Sequence, residues 1–349
     1  MARNAQSPAT TLANAAKVHA RLPTFDELPK FRNFTGCAWQ VWGSDDQLGT
    51  INLLTPDVVQ RAAKEEIRTG KSVALNWPIN FPSKPLFGRQ PPEIKILDRG
   101  FARDDEIHLN TQSGTQWDGL RHFGINAHGV IYNNHPISAI KTGEACVMDD
   151  PTKIDPDLIK FGIHNWARHG ISGRGVLLDL VRYYTESGDE LPYSPWETHG
   201  FTVPELERVA EKQGVEFQQG DILLIRAGFI QKYYQSSQSE KDWIGRELGT
   251  ECFAGVEQSE AMKRFLWDNH FAAVASDQPG FEKLPPNQGD EMLHQTLLGL
   301  WGMPIGELFD LEELSEQCAA TGRYAFFFAS WPLNILGGCA SPANAAAYF

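Results

Sequence analysis

Gly175-Val-Leu-Leu-Asp-Leu (175–180) and Asp221-Ile-Leu-Leu-Ile-Arg (221–226) decide the fold class of this chain. Each is an unbroken apolar run bounded by glycine. A strand with one wet face alternates polar and apolar residues, whereas continuous runs of this length belong to strands buried on both faces. Phe271-Ala-Ala-Val-Ala-Ser and Tyr324-Ala-Phe-Phe-Phe-Ala read the same way, and residues 72–77 give a further strand. Helical stretches lie between them. One covers 203–213 with Thr202 as N-cap, and another covers 257–269, bounded less sharply by Gly255 and Ser259. A third begins at Thr55 and Pro56, runs to about Arg68 and stops near Gly70. Strands alternating with helices define an α/β layered fold. Residues 1–30 read as an N-terminal arm ending at Pro23 and Pro29, and 31–349 as a single domain, with no repeat and no linker. The Pro-rich stretch 78–92 reads as a long surface loop.

Composition narrows the function. The chain has 349 residues, 42% hydrophobic and 21% charged, with a net charge of −13. Nucleic-acid binding needs clustered Lys and Arg, and none is found, so no nucleic-acid partner is expected. No run approaches the roughly 20 apolar residues of a membrane span, and the N-terminus lacks a secretory apolar core. A cytoplasmic location is the expectation. The five cysteines (Cys37, Cys146, Cys252, Cys318, Cys339) are scattered and form no C-x-x-C pair, which points to buried thiols in a reducing compartment. Neither a G-x-S-x-G nucleophile turn nor a glycine-rich phosphate loop occurs; Gly255-Val-Glu-Gln-Ser does not qualify.

The stretch that carries chemistry is Gln112-Ser-Gly-Thr-Gln-Trp-Asp-Gly-Leu-Arg-His (112–122). It sets the Asp118 carboxylate four residues before the His122 imidazole, which titrates near pH 6.5, about where a group must lie to take and return a proton at neutral pH. Trp117 lies inside the stretch, Trp301 falls between His294 and Glu307, and Trp39 and Trp42 occupy an N-terminal loop. Trp39, Trp117 and Trp301 are candidates to line a flat apolar pocket for an aromatic or polycyclic small molecule.

This stretch resembles H-x-G-T-H-x-D-x-P-x-H, the signature of the cyclase family of metal-dependent hydrolases, which includes bacterial kynurenine formamidase and isatin hydrolase. Gly114, Thr115, Asp118 and His122 match; Gln112 and Gln116 stand where the signature has histidines, and Leu120 where it has proline. Further family segments follow in order: Gly170-Ile-Ser-Gly-Arg-Gly-Val-Leu-Leu-Asp, Gly220-Asp-Ile-Leu-Leu-Ile-Arg-Ala-Gly, Leu293-His-Gln-Thr-Leu-Leu-Gly, Gly306-Glu-Leu-Phe-Asp-Leu and Pro332-Leu-Asn-Ile-Leu-Gly-Gly-Cys-Ala-Ser-Pro. The resemblance implies a central mixed β-structure flanked by helices, assembled as a homodimer or homotetramer. It also implies that Asp118, His294 and Glu307 hold metal and that His122 moves the proton.

The two glutamines identify the chain, on this resemblance, as a divergent member that has lost two metal-binding imidazoles. Two carboxylates, one imidazole and an amide oxygen from Gln116 balance one divalent ion and not two. That set favours Mn²⁺ or Mg²⁺ with Zn²⁺ as an alternative, or no metal at all, with Gln112 turned to substrate. The implied activity is hydrolysis of an amide, cyclic amide or lactone of an aromatic small molecule. Two other outcomes stay open: a metal-free acid–base cyclase, lyase or isomerase using His122 and Asp118, and a non-catalytic small-molecule binder.

Overall fold

A computed structural model describes residues 21–143, 150, 152–244 and 249–349. Its centre is a nine-stranded mixed sheet. In chain order the strands are β1 (Ser72–Ala74), β2 (Gln116–Asp118), β3 (Ile171–Asp179), β4 (Ile222–Arg226) and β5 (Ala273–Ser276). They continue with β6 (Ile305–Glu307), β7 (Ala325–Ser330), β8 (Ala340–Pro342) and β9 (Ala345–Tyr348). The spatial order is β1-β9-β7-β3-β4-β5-β6-β2-β8.

The apolar runs form the middle of this sheet. β3, β4, β5 and β6 pair in parallel, and every residue of all four is buried. Parallel strands need crossovers, and helices on the sheet faces supply them, so the strands have no wet face and no alternation. The helices include α1 (Pro56–Glu66), α2 (Val203–Gln213), α3 (Phe229–Gln235), α4 (Glu260–Asp268) and α5 (Glu312–Thr321). The caps read from sequence recur: Thr55 precedes Pro56, Ser259 accepts from the Met262 N–H, and Thr202 with Glu205 closes a capping box on α2. Strand 72–77 is shorter than expected. Asn76 leaves the ladder to bond the Ala345 backbone in both directions.

Residues 1–20 of the expected arm, and Cys146, lie outside the described residues. The following segment is packed on the body. Phe25 is buried, its N–H donates to Asp268 Oδ1 at 2.7 Å, and Trp267 donates to the Pro23 carbonyl at 2.8 Å. Among the described residues, no helix is long and apolar enough to cross a membrane.

Beyond β6 the polarity of the sheet reverses. β2 pairs antiparallel with β6 on one side and with β8 on the other. Its register sets Gln116 opposite Glu307 and Asp118 opposite Ile305. Two residues of one short strand, Gln116 and Asp118, thus carry much of the chemistry.

Candidate active site

Side chains alternate across a strand, so Gln116 and Asp118 share one face of β2 while Trp117 points to the other. Trp117 is fully buried there against Phe309 and Phe328, and its indole N–H donates to Ser330 Oγ at 2.9 Å. It belongs to the core and does not line a substrate cavity. After Asp118 the chain turns tightly. The Gly119 N–H donates to the Cys339 carbonyl at 2.9 Å, and a Cβ on Gly119 would sit 2.6 Å from that oxygen, so only glycine fits. The His122 N–H then bonds back to the Gly119 carbonyl at 2.9 Å, which returns the imidazole over Asp118.

His294 arrives from the opposite side, one residue ahead of a π-helical segment, Gln295–Trp301. Such segments are short and frequent at functional sites. Glu282 fixes His294 with one carboxylate oxygen: Oε1 accepts from the His294 N–H at 2.8 Å and bonds its Nδ1 at 2.7 Å. Nε2 is thereby left to face the site. Glu282 Oε2 is held by the Leu293 N–H and by Gln258, each at 2.7 Å.

These elements converge on Asp118, which is completely buried. Its Oδ1 accepts from Gln112 Nε2 at 2.6 Å and from Gln116 Nε2 at 3.1 Å. Its Oδ2 has no hydrogen-bond partner and lies 3.6 Å from Nε2 of both His122 and His294. Gln116 Nε2 also donates to Glu307 Oε2 at 2.7 Å, and Glu307 Oε1 lies 3.2 Å from His294 Nε2. The glutamine amides therefore occupy one oxygen of Asp118 and, through Gln116, one of Glu307. The other oxygen of each faces the imidazoles.

The electrostatics match that arrangement. Burial opposes the charge on Asp118, but the imidazoles of His122 and His294 and the Arg89 guanidinium outweigh it and hold the carboxyl at about 2. Burial, then the Asp118 charge, pushes Glu307 up to about 7. Burial lowers the pKa of His122. It works against a charge on His294 as well, but contacts with Asp118, Glu282 and Glu307 prevail and raise that pKa well above the imidazole value. The carboxylates that favour a proton on His294 would favour a metal cation there as well.

Ligand-capable atoms of Asp118, His122 and His294 all lie within 4.8 Å of one another. One carboxylate oxygen and two imidazole nitrogens, with an unpartnered buried anionic oxygen between them, fit a divalent ion. This corrects the expectation drawn from Gln112 and Gln116. The chain is not left short of imidazoles: His122 and His294 both stand with Asp118 in an intact candidate metal site. Gln116 turns its amide nitrogen to the carboxylates and its oxygen to Arg89, 3.5 Å away, where a ligand would have to turn the oxygen inward.

The cluster opens into a cavity of about 220 Å³ lined by Phe87, Phe123, Phe253, Leu284 and Met292, with Arg89 on its wall and His122, His294 and Glu307 in its lining. The expected tryptophans are elsewhere. Trp301 is buried and bonds the Gly36 carbonyl, and Trp39 bonds the Gly299 carbonyl beside Phe31. The aromatic walls are phenylalanines from three distant segments. Phe87 and Arg89 come from stretch 78–92, which is therefore not a surface loop throughout. Glu282 and Arg89 carried no signal in sequence, since neither sits in a motif.

Comparison with known proteins agrees with this fold. The Cyclase family profile matches residues 73–283. A crystal structure of a novel cyclase is 32% identical, aligns over 90% of this chain and 99% of its own, and superposes with a TM-score of 0.75. Isatin hydrolase A from Ralstonia solanacearum is 16% identical over 79% of this chain and 91% of its own, with a TM-score of 0.52. An isatin hydrolase bound to the product analogue thioisatinate is 12% identical over 82% and 94%, with a TM-score of 0.51. The last two establish likeness of fold alone. No curated protein matches the chain. The chain belongs to the cyclase family. The family fold, with the candidate metal cluster of Asp118, His122 and His294 within it, makes this chain an enzyme of the cyclase family.

Proposed function

We propose that this enzyme hydrolyses an amide, cyclic amide or lactone of an aromatic small molecule with the help of one divalent metal ion. The observation that carries the proposal is Asp118 Oδ2: fully buried, without a hydrogen-bond partner, and facing two imidazole Nε2 atoms. The surroundings keep Asp118 charged, yet this oxygen has no donor, and a cation between the three groups would give it a partner. Asp118, His122 and His294 would hold the ion. Two imidazoles and a carboxylate suit Zn²⁺ or Mn²⁺ better than Mg²⁺, because no amide oxygen joins the set.

A divalent ion there supplies Lewis acidity to a substrate carbonyl and to an attacking water. The protein does the rest. Phe87, Phe123 and Phe253 hold a flat ring and exclude bulk water. Glu282 fixes His294 in one tautomer. The Gln112 and Gln116 amides keep Asp118 and Glu307 from rotating. With His122 in the metal set, Glu307 is the carboxylate lining the cavity that takes the proton from water and returns it to the leaving nitrogen or oxygen.

A panel of aryl amides and lactones, assayed for carboxylate release before and after chelation and metal return, tests this. Activity lost with the metal and restored by Zn²⁺ or Mn²⁺ is expected. Full activity in metal-free protein would leave acid–base chemistry by His122 and Asp118 in its place. Metal content of the His122→Ala and Glu307→Gln variants assigns the two roles. The former is expected to lose metal and the latter to keep it, and the reverse would make His122 the proton carrier. We further infer a cytoplasmic homodimer or homotetramer built on one domain spanning 31–349, which light scattering of the purified chain would check.

A further inference from the structure

Among the described residues, Arg89 is the one arginine or lysine lining the site cavity; its charge is felt by Asp118 and Glu307, but it makes no direct ion pair with either. Arg89 is half-buried between Phe87 and the 112–116 segment. Its Nη1 donates to the Gln112 carbonyl at 2.8 Å and reaches Gln116 Oε1 at 3.5 Å, and its guanidinium carbon lies 5.0 Å from the Phe87 ring centre. Among the described residues, no carboxylate forms an ion pair with Arg89, although Arg21, Arg99, Arg103, Arg174, Arg182, Arg226, Arg264 and Arg323 all have one. A guanidinium presents five N–H donors in a planar fork matched to a carboxylate, and here Nε and Nη2 make no hydrogen bond among the described residues. Those two donors are free in a half-buried fork, and a ligand carboxylate can accept from both.

We propose that Arg89 is a specificity-determining residue that selects aromatic substrates bearing a carboxylate, by pairing with that group while the phenylalanine walls hold the ring. This rests on the hydrolase reading for its reaction but not for its binding step. The same geometry explains the position of the arginine. It is tied to Gln112 and Gln116, the two residues that orient Asp118, so an anion bound at Arg89 stands in register with the metal cluster.

Binding to metal-loaded protein separates the possibilities, with benzoate and benzyl alcohol as a charged and a neutral probe of one size. Wild-type protein is expected to prefer benzoate by at least about tenfold, the range of one charge-assisted pair. Arg89→Gln should remove that preference and leave benzyl alcohol affinity and metal content unchanged. Three results would overturn the proposal. The preference could survive in Arg89→Gln and vanish on chelation, in which case the metal holds the carboxylate. Both probes could weaken equally, in which case Arg89 only positions the glutamines. Neither could bind wild-type protein, in which case the cavity is not built for an aromatic carboxylate. A protein that binds no metal but keeps the Arg89-dependent preference would refute the hydrolase reading alone.

Discussion

Two of the charge clusters in this sheet are finished differently. At the ends of β3 and β4, Arg226 forks onto both oxygens of Glu312 at 2.8 and 2.7 Å and donates to Asp179 Oδ1 at 2.9 Å. The second Asp179 oxygen accepts from Ser315 Oγ. Every carboxylate oxygen in that cluster has a donor. At the end of β2, Asp118 is equally buried, yet one of its oxygens has none. Complete pairing marks a part of the scaffold, because its charges are already neutralised. The unpaired oxygen marks a place where the protein expects something to bind.

The contrast breaks first on stability. Arg226→Met leaves the buried Asp179 and the partly exposed Glu312 without that partner and should cost about 3–5 kcal/mol in chemical denaturation, the usual loss on removing one partner of a buried pair. Asp118→Asn keeps the Oδ1 that accepts both glutamine amides and removes the oxygen that has no donor. In chelator it should change stability by no more than about 1 kcal/mol. If Asp118→Asn proved as damaging as Arg226→Met, the two clusters would be alike and the site would be structural.

A second change sharpens the comparison within the site. Glu282→Gln weakens the group that orients His294, and metal affinity should fall about 10- to 100-fold by titration while the fold is kept. Unchanged affinity would mean that the π-helical segment alone positions the imidazole. The smallest effect is expected at Gln112, which shares Asp118 Oδ1 with Gln116. Gln112→Leu should cost about 1 kcal/mol of metal binding or less, since Gln116 keeps that oxygen satisfied. A larger loss would show that the two amides act as a unit.

How much of this was visible in the chain depends on how local each feature is. β3, β4, β5 and β7, the α2 cap and the spacing of Asp118 and His122 follow from short-range pattern, and they stand where the sequence put them, whereas β6, only three residues long, does not read as a strand in the sequence. The tryptophans do not. Trp117 lies one residue from Asp118, and strand parity sends it to the opposite face, but a three-residue strand cannot be phased from its own sequence. The glutamines look like lost ligands when read as substitutions in a motif. In three dimensions their amide nitrogens face carboxylates, and His294 comes from 172 positions beyond His122 to complete the cluster. Arg89 and Glu282 show no local pattern at all, because each acquires its role only when the loop or turn that carries it folds over the cavity.

Metal titration of the purified, chelator-stripped chain tests the central claim most directly, with wild type, Asp118→Asn and His294→Ala compared side by side for Zn²⁺ and Mn²⁺. One ion per wild-type chain, and loss of that binding in both variants, is the predicted result. Wild-type protein that binds neither ion, or an Asp118→Asn variant that binds as tightly as wild type, would contradict it.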